Sequence, residues 1–277
     1  MAGTLCLVPL LLPLCISVTV NTEVALQKRI IGGDECERQY HVQLRAVYPH
    51  GPSSLCGGSL ISDRWILTAA HCLKPGGIMF ANLSVHQGGP EQEVQITAEA
   101  EIYTDKDTST GRVHDIMLLQ LPSSSDVQPI KLPDCDEPPK RRVVDVSASG
   151  SCVLTDTDTG DVVQVVGLGG YRVNATSHPL PDEPPNLQCA DMRVADCEPT
   201  RYSQCTAYVP YNNRLCLEEH QVDARGGDSG GGVIYNNMIY GVISSGFERV
   251  CTGPAVTVNV CSYMNWINQK IAQNNGK

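Results

Sequence analysis

The stretch Asp223–Gly232, "DARGGDSGGG", sets one serine among five glycines. Glycine tolerates backbone conformations closed to other residues and lets the chain approach a neighbour closely, so such a run marks a turn or a binding loop. Ser229 is then either a nucleophile displayed on a tight turn or a hydroxyl on a flexible bend. The stretch alone does not choose between them; the rest of the chain does.

The 277 residues are enough for one large core or two small ones. Leu5–Val20 is an apolar run broken by Pro9 and Pro13, too short and interrupted to span a bilayer. It reads as a secretory signal peptide over residues 1–20, cleaved between Ser17 and Thr22, although only the amino terminus supplies positive charge before it. No later apolar stretch is long enough for a membrane helix, so the expected product is soluble and secreted, extracellular or in a secretory granule, with no membrane partner.

Cysteine usage agrees with that route. Of 13 cysteines, Cys6 and Cys15 fall in the leader, and the 11 that follow include no C-x-x-C pair. Scattered cysteines in a secreted chain form disulfides, whereas zinc sites use short ligand spacings. The odd number leaves at least one thiol without an intramolecular partner. Asn82-Leu83-Ser84 and Asn174-Ala175-Thr176 are glycosylation sequons. The net charge of −10 argues against a nucleic-acid partner, which calls for a basic face, and would attract basic peptides or proteins.

Most of the chain alternates with period two and is punctuated by Gly and Pro. "YHVQLRAVY", "EVQITAEAEIY", "DIMLLQL" and "PAVTVNV" read as strands, and "GVIYNNMIYGVI" as a hairpin turning at Asn236-Asn237. Near the end, Tyr263, Trp266, Ile267 and Ile271 share one helix face. The Pro- and Ser-rich segment Leu121–Arg141 divides the chain, which predicts two β-barrels or sandwiches closed by a terminal helix. "GLGGYR" at Gly167 lacks the spacing of a dinucleotide loop, and no cofactor is expected.

Three other stretches decide the reading of Ser229. "RWILTAAHC" ends an apolar run at His71, "HDIMLLQL" opens a strand at Asp115, and "KRIIGG" sets two basic residues before Ile30. Singly these are a core histidine, a strand cap and a solvated pair. Together with "CGGSLI" and "GDSGG" they resemble the trypsin/chymotrypsin family of serine proteases, from Ile30 through the terminal helix. The chain order His, Asp, Ser is that of this family.

The resemblance implies an all-β chymotrypsin fold of two six-stranded antiparallel barrels with a C-terminal α-helix. The protease domain would cover 30–277, with barrels at about 30–135 and 136–260 and the helix at about 262–272. It implies a secreted serine endopeptidase with His71, Asp115 and Ser229 as catalytic residues and the N–H groups of Gly227 and Ser229 as the oxyanion hole. Cleavage after Arg29, by a trypsin-like enzyme or a furin-like convertase, would remove an activation peptide at 21–29 and let the new Ile30 terminus pair with Asp228.

Asp223 matches the pocket-floor aspartate that selects Arg or Lys, with Ser244, Gly246 and Ala255 also lining the substrate site. Bridges Cys36–Cys189, Cys56–Cys72 and Cys135–Cys261 are implied, and Cys216 with Cys197 or Cys205. The family pattern is departed from at Ser245, Ala255, Thr257 and Gly232 in and around the pocket. Val163 and Tyr235 replace one bridge, and Arg225 replaces one end of another, near Cys251. Cys152 is unassigned, and the loop near Gly88–Glu93 is too short for the family's calcium site, so no metal is expected. The implied partners are protein or peptide substrates, protein protease inhibitors and an activating protease, with the chain a monomer. An intact triad favours an active endopeptidase; the altered pocket leaves open an altered or broad specificity, or a protease-fold binding module with little turnover.

Overall fold

The computed structural model describes residues 30, 33–48, 54–83, 92–105, 111–141, 160–169, 186–201, 209–220, 222, 224, 226–245 and 254–274. The first half folds into β2 (His41–Val47), β3 (Ser54–Leu60), β4 (Trp65–Thr68), β5 (Ile78–Asn82), β6 (Glu93–Gln95), β7 (Glu101–Thr104) and β8 (Val113–Gln120). They form one antiparallel sheet in the order β6-β5-β2-β3-β4-β8-β7. The second half supplies β9 (Val162–Gly167), β10 (Gln188–Ala195), β11 (Arg214–Glu218), β12 (Gly232–Tyr235), β13 (Met238–Ser245) and β14 (Ala255–Asn259). Because β9 pairs with both β10 and β12, these six strands close into a barrel, and the short β1 (Asp34–Glu35) adds to β10. Helix α1 (Met264–Asn274) follows.

This is the all-β architecture of two barrel-like sheets with a terminal helix that the resemblance implies. The first sheet differs in having seven strands, not six, and among the described residues only the second closes. One difference concerns "EVQITAEAEIY", which reads as a single strand but forms β6 and β7. The Ile96 N–H still donates to the carbonyl of Met79, the residue opposite it in the β5 register, and only after this bond does the chain leave the β5 ladder. The hairpin is as expected: Asn236 and Asn237 adopt φ of 49° and 58°, the pair of left-handed residues a type I′ turn needs.

Two apolar clusters make up the core. One gathers Leu44, Ile66, Leu67, Ile116 and Leu118, and takes in Tyr263 and Ile267 from the chain's end. The other lies in the closed barrel around Val163, Val165, Met192, Leu217 and Val233, and it includes Ile30. Each such side chain contributes roughly 1.5–3 kcal/mol by leaving water. Disulfides join Cys36–Cys189, Cys56–Cys72, Cys135–Cys261 and Cys197–Cys216. The last takes Cys197; Cys152, Cys205 and Cys251 lie outside the described residues. Among the described residues no helix is long and apolar enough to cross a membrane.

Candidate active site

β4 runs through the first core and ends at Thr68, and the chain turns into a 3-10 helix, Ala70–Cys72, that brings His71 to the surface. Its neighbour Cys72 is bonded to Cys56 of β3, which fixes the turn on the sheet. β8 lies beside β4 and carries Asp115, whose side chain is 4% exposed. The Asp115 carboxylate takes hold of the histidine from three sides. The His71 backbone N–H donates to Oδ1 at 2.9 Å, and ring Nδ1 lies 3.0 Å from Oδ1 and 2.9 Å from Oδ2. The buried Ser244 hydroxyl donates to Oδ2.

Burial pushes the Asp115 carboxyl up, but the hydrogen bonds from His71 and Ser244 and the positive charge available on His71 outweigh it, and the net direction is down. The group therefore stays a carboxylate at neutral pH. Its contribution to folding is complete above the unfolded value and is lost as pH falls through the depressed folded one.

Ser229 lies on the turn Gly226–Gly230 that leads into β12. Its carbonyl accepts from the Gly57 N–H at 2.7 Å, and the Thr68 hydroxyl donates to the Gly57 carbonyl at 2.7 Å. The Cys72 sulfur lies 3.6 Å from the same Ser229 carbonyl, so the histidine turn and the serine turn meet. Gly227 and Gly230 have φ of 98° and 85°. A Cβ on Gly230 would sit 2.2 Å from both the Gly57 carbonyl oxygen and the Thr68 hydroxyl, so this glycine is required by contact as well as by dihedral.

Asp228 is fully buried, and its Oδ1 accepts from the Gly169 N–H at 2.7 Å. A Cβ on Gly167 or Gly169 would come within 2.1 or 2.5 Å of that carboxylate. Gly167 and Gly169 thus cradle Asp228, a role their sequence alone does not disclose. Ile30 is fully buried in the barrel core with φ of 29°, an outlying value for a β-branched residue.

Of the expected pocket residues, Ser244 directs its hydroxyl to Asp115, and Ala255 packs in the barrel core with Val222 and Ala224. Thr257 donates to the Leu215 carbonyl at 2.7 Å. Tyr235 and Val163 both join the barrel core, and Tyr235 donates to Asp161 Oδ2 at 3.1 Å. Asn82 closes β5, half-buried. Arg29, Asn174, Asp223, Arg225 and Gly246 lie outside the described residues. Donor atoms of Cys56, His71 and Cys72 lie within 4.8 Å of one another, but both sulfurs are consumed in a disulfide and offer no thiolate to a metal.

The family model described as Trypsin matches residues 30–168 and 151–267. Cationic trypsin-3 of Rattus norvegicus is 32% identical, over 89% of this chain and 91% of its own length. Kallikrein-8 of Homo sapiens is 29% identical, over 89% of this chain and 88% of its own. Among solved structures, neuropsin, a serine protease expressed in the limbic system of mouse brain, superposes with a TM-score of 0.63 at 26% identity, covering 86% of this chain and 98% of that one.

Proposed function

The chain belongs to the trypsin family and is a trypsin-like serine endopeptidase acting on proteins or peptides, and we propose that Ser229, His71 and Asp115 carry its chemistry, after Arg or Lys, once a cut after Arg29 has switched it on. The observation that carries this is the three-point hold of Asp115 on His71, beside a serine turn tied to the same disulfide-bonded strand. With Nδ1 directed to the carboxylate, Nε2 is left to accept a proton. Ser229 Oγ attacks the scissile carbonyl carbon while Nε2 takes its proton. The N–H groups of Gly227 and Ser229 hold the oxyanion, and Nε2 then protonates the leaving amine. Water, activated by the same imidazole, releases the acyl group. A serine hydroxyl is too weakly acidic to react at neutral pH without such a base.

Preference for Arg or Lys rests on Asp223, whose neighbours Val222 and Ala224 are both buried against the barrel core. A cationic side chain satisfies a carboxylate that a neutral one would leave unpaired. Activation draws support from Ile30. Its φ exists only while the Arg29 carbonyl is attached, so hydrolysis of that bond removes a constraint of ~1–3 kcal/mol and leaves an ammonium at a residue already seated in the barrel that holds Asp228. The leader and activation peptide then correspond to 1–20 and 21–29, and the product is secreted and monomeric. Its further partners are protein inhibitors and the activating protease.

Trypsin treatment of Arg29→Gln is expected to yield a folded protein without activity, whereas the treated parent cleaves a peptide library after Arg and Lys. Full activity of the uncut variant would remove the activation step. A parent profile without basic preference would remove the role given to Asp223.

A further inference from the structure

β8 carries Asp115 at a place where neither neighbouring strand holds its backbone in register. Pairing with β4 stops at Thr68↔Met117. Pairing with β7 passes from Ile102↔Met117 directly to Thr104↔Val113, so His114, Asp115 and Ile116 all face the single residue Tyr103. Such a bulge re-aims side chains but loosens the ladder.

The anchor at this point is the neighbouring side chain. His114 is 3% exposed. Its Nδ1 lies 2.9 Å from the Tyr263 hydroxyl and its Nε2 3.0 Å from Asp105 Oδ2. The rings of Tyr103 and Tyr263 pack on it at 5.0 and 5.7 Å. Asn213, in the 3-10 turn before β11, donates its Nδ2–H to the same Tyr263 oxygen at 2.9 Å. Burial pushes the Tyr263 phenol up to about 12, so it keeps its proton. One arrangement gives every donor an acceptor: Asn213 donates to the Tyr263 oxygen, the Tyr263 hydroxyl to Nδ1, and the His114 Nε2–H to Asp105.

This line begins beside Asp115 in the N-terminal sheet and ends in the closed barrel that carries Ser229. We infer that His114 is a positioning residue: through Tyr263 and Asn213 it fixes the Asp115 backbone relative to the closed barrel, and so sets how Asp115 meets His71. The inference rests on the reading of Ser229, His71 and Asp115 as the triad. Because small misplacements of reacting groups are costly in rate, cutting the line lowers turnover without weakening substrate binding.

The test uses the full chain after activation, with active serines counted by radiolabelled diisopropyl fluorophosphate. Tyr263→Phe removes only the hydroxyl, and Asn213→Ala only the far end. Each is expected to lower kcat per labelled serine ~10-fold, with KM changed less than about 2-fold. His114→Gln, which can still accept from Tyr263 and donate to Asp105, retains most of kcat, while His114→Leu does not. If Tyr263→Phe and Asn213→Ala lower only the labelled fraction or the melting temperature, with kcat per labelled serine unchanged, the positioning role is wrong. A parent that does not label overturns the triad reading instead.

Discussion

Replacing Ser229 with alanine is expected to lower kcat by about 10⁵–10⁶-fold and to leave the fold intact. The turn owes its shape to backbone groups that alanine keeps: the Ser229 carbonyl on the Gly57 N–H, and the positive φ of Gly227 and Gly230. The side chain itself is only partly buried, so its loss changes stability little. What disappears is the attacking atom. The rate that remains is the part due to substrate binding and the oxyanion hole, far below the parent. Measuring kcat on a peptide substrate, with denaturant unfolding of both proteins, checks both halves. An undiminished rate would mean that another residue is the nucleophile.

Asp115→Asn is expected to cost ~10⁴ in kcat at neutral pH, which corresponds to roughly 5.4 kcal/mol of transition-state stabilisation. The carboxylate accepts from the His71 backbone N–H at Oδ1, from the Ser244 hydroxyl at Oδ2, and from the ring at Nδ1. An asparagine carbonyl still serves the backbone N–H at the Oδ1 position, which places its NH₂ where Oδ2 was. That NH₂ faces Nδ1, which must then accept rather than donate. The imidazole proton moves to Nε2, the nitrogen that has to take the proton of Ser229. Geometry survives while the tautomer is wrong, so KM is expected to change little. A loss below about 10-fold would show that the carboxylate does not set the state of His71.

Much of this molecule can be read from its residues, and the parts that cannot have a common cause. The hairpin at Asn236-Asn237 and the helix face of Ile267 depend on neighbours a few residues away, and local pattern finds them. Gly167 and Gly169 do not. Their reason is the carboxylate of Asp228, some sixty positions along the chain, and no spacing rule reports a contact at that distance. β6 and β7 read as one strand because alternation records which side chains are buried. It does not record which ladder the backbone serves, and after the Ile96 N–H bond to Met79 the chain passes from the ladder of β5 to that of β8. "HDIMLLQL" points to Asp115, yet His114 gains its meaning only when Tyr263 and Asn213 fold against it. The replacement of a bridge by Val163 and Tyr235 is visible in sequence; that apolar packing and a hydrogen bond to Asp161 take its place is not.

In the cleaved protein Ser229 is expected to react as an activated nucleophile. Incubating the trypsin-treated chain with a fluorophosphonate and mapping the adduct by peptide mass tests it most directly. The expected result is one adduct, on Ser229, that is absent from heat-denatured protein and forms far more slowly in Asp115→Asn. A folded, cleaved protein that leaves Ser229 unlabelled would contradict the claim and mark the chain as a protease fold without turnover.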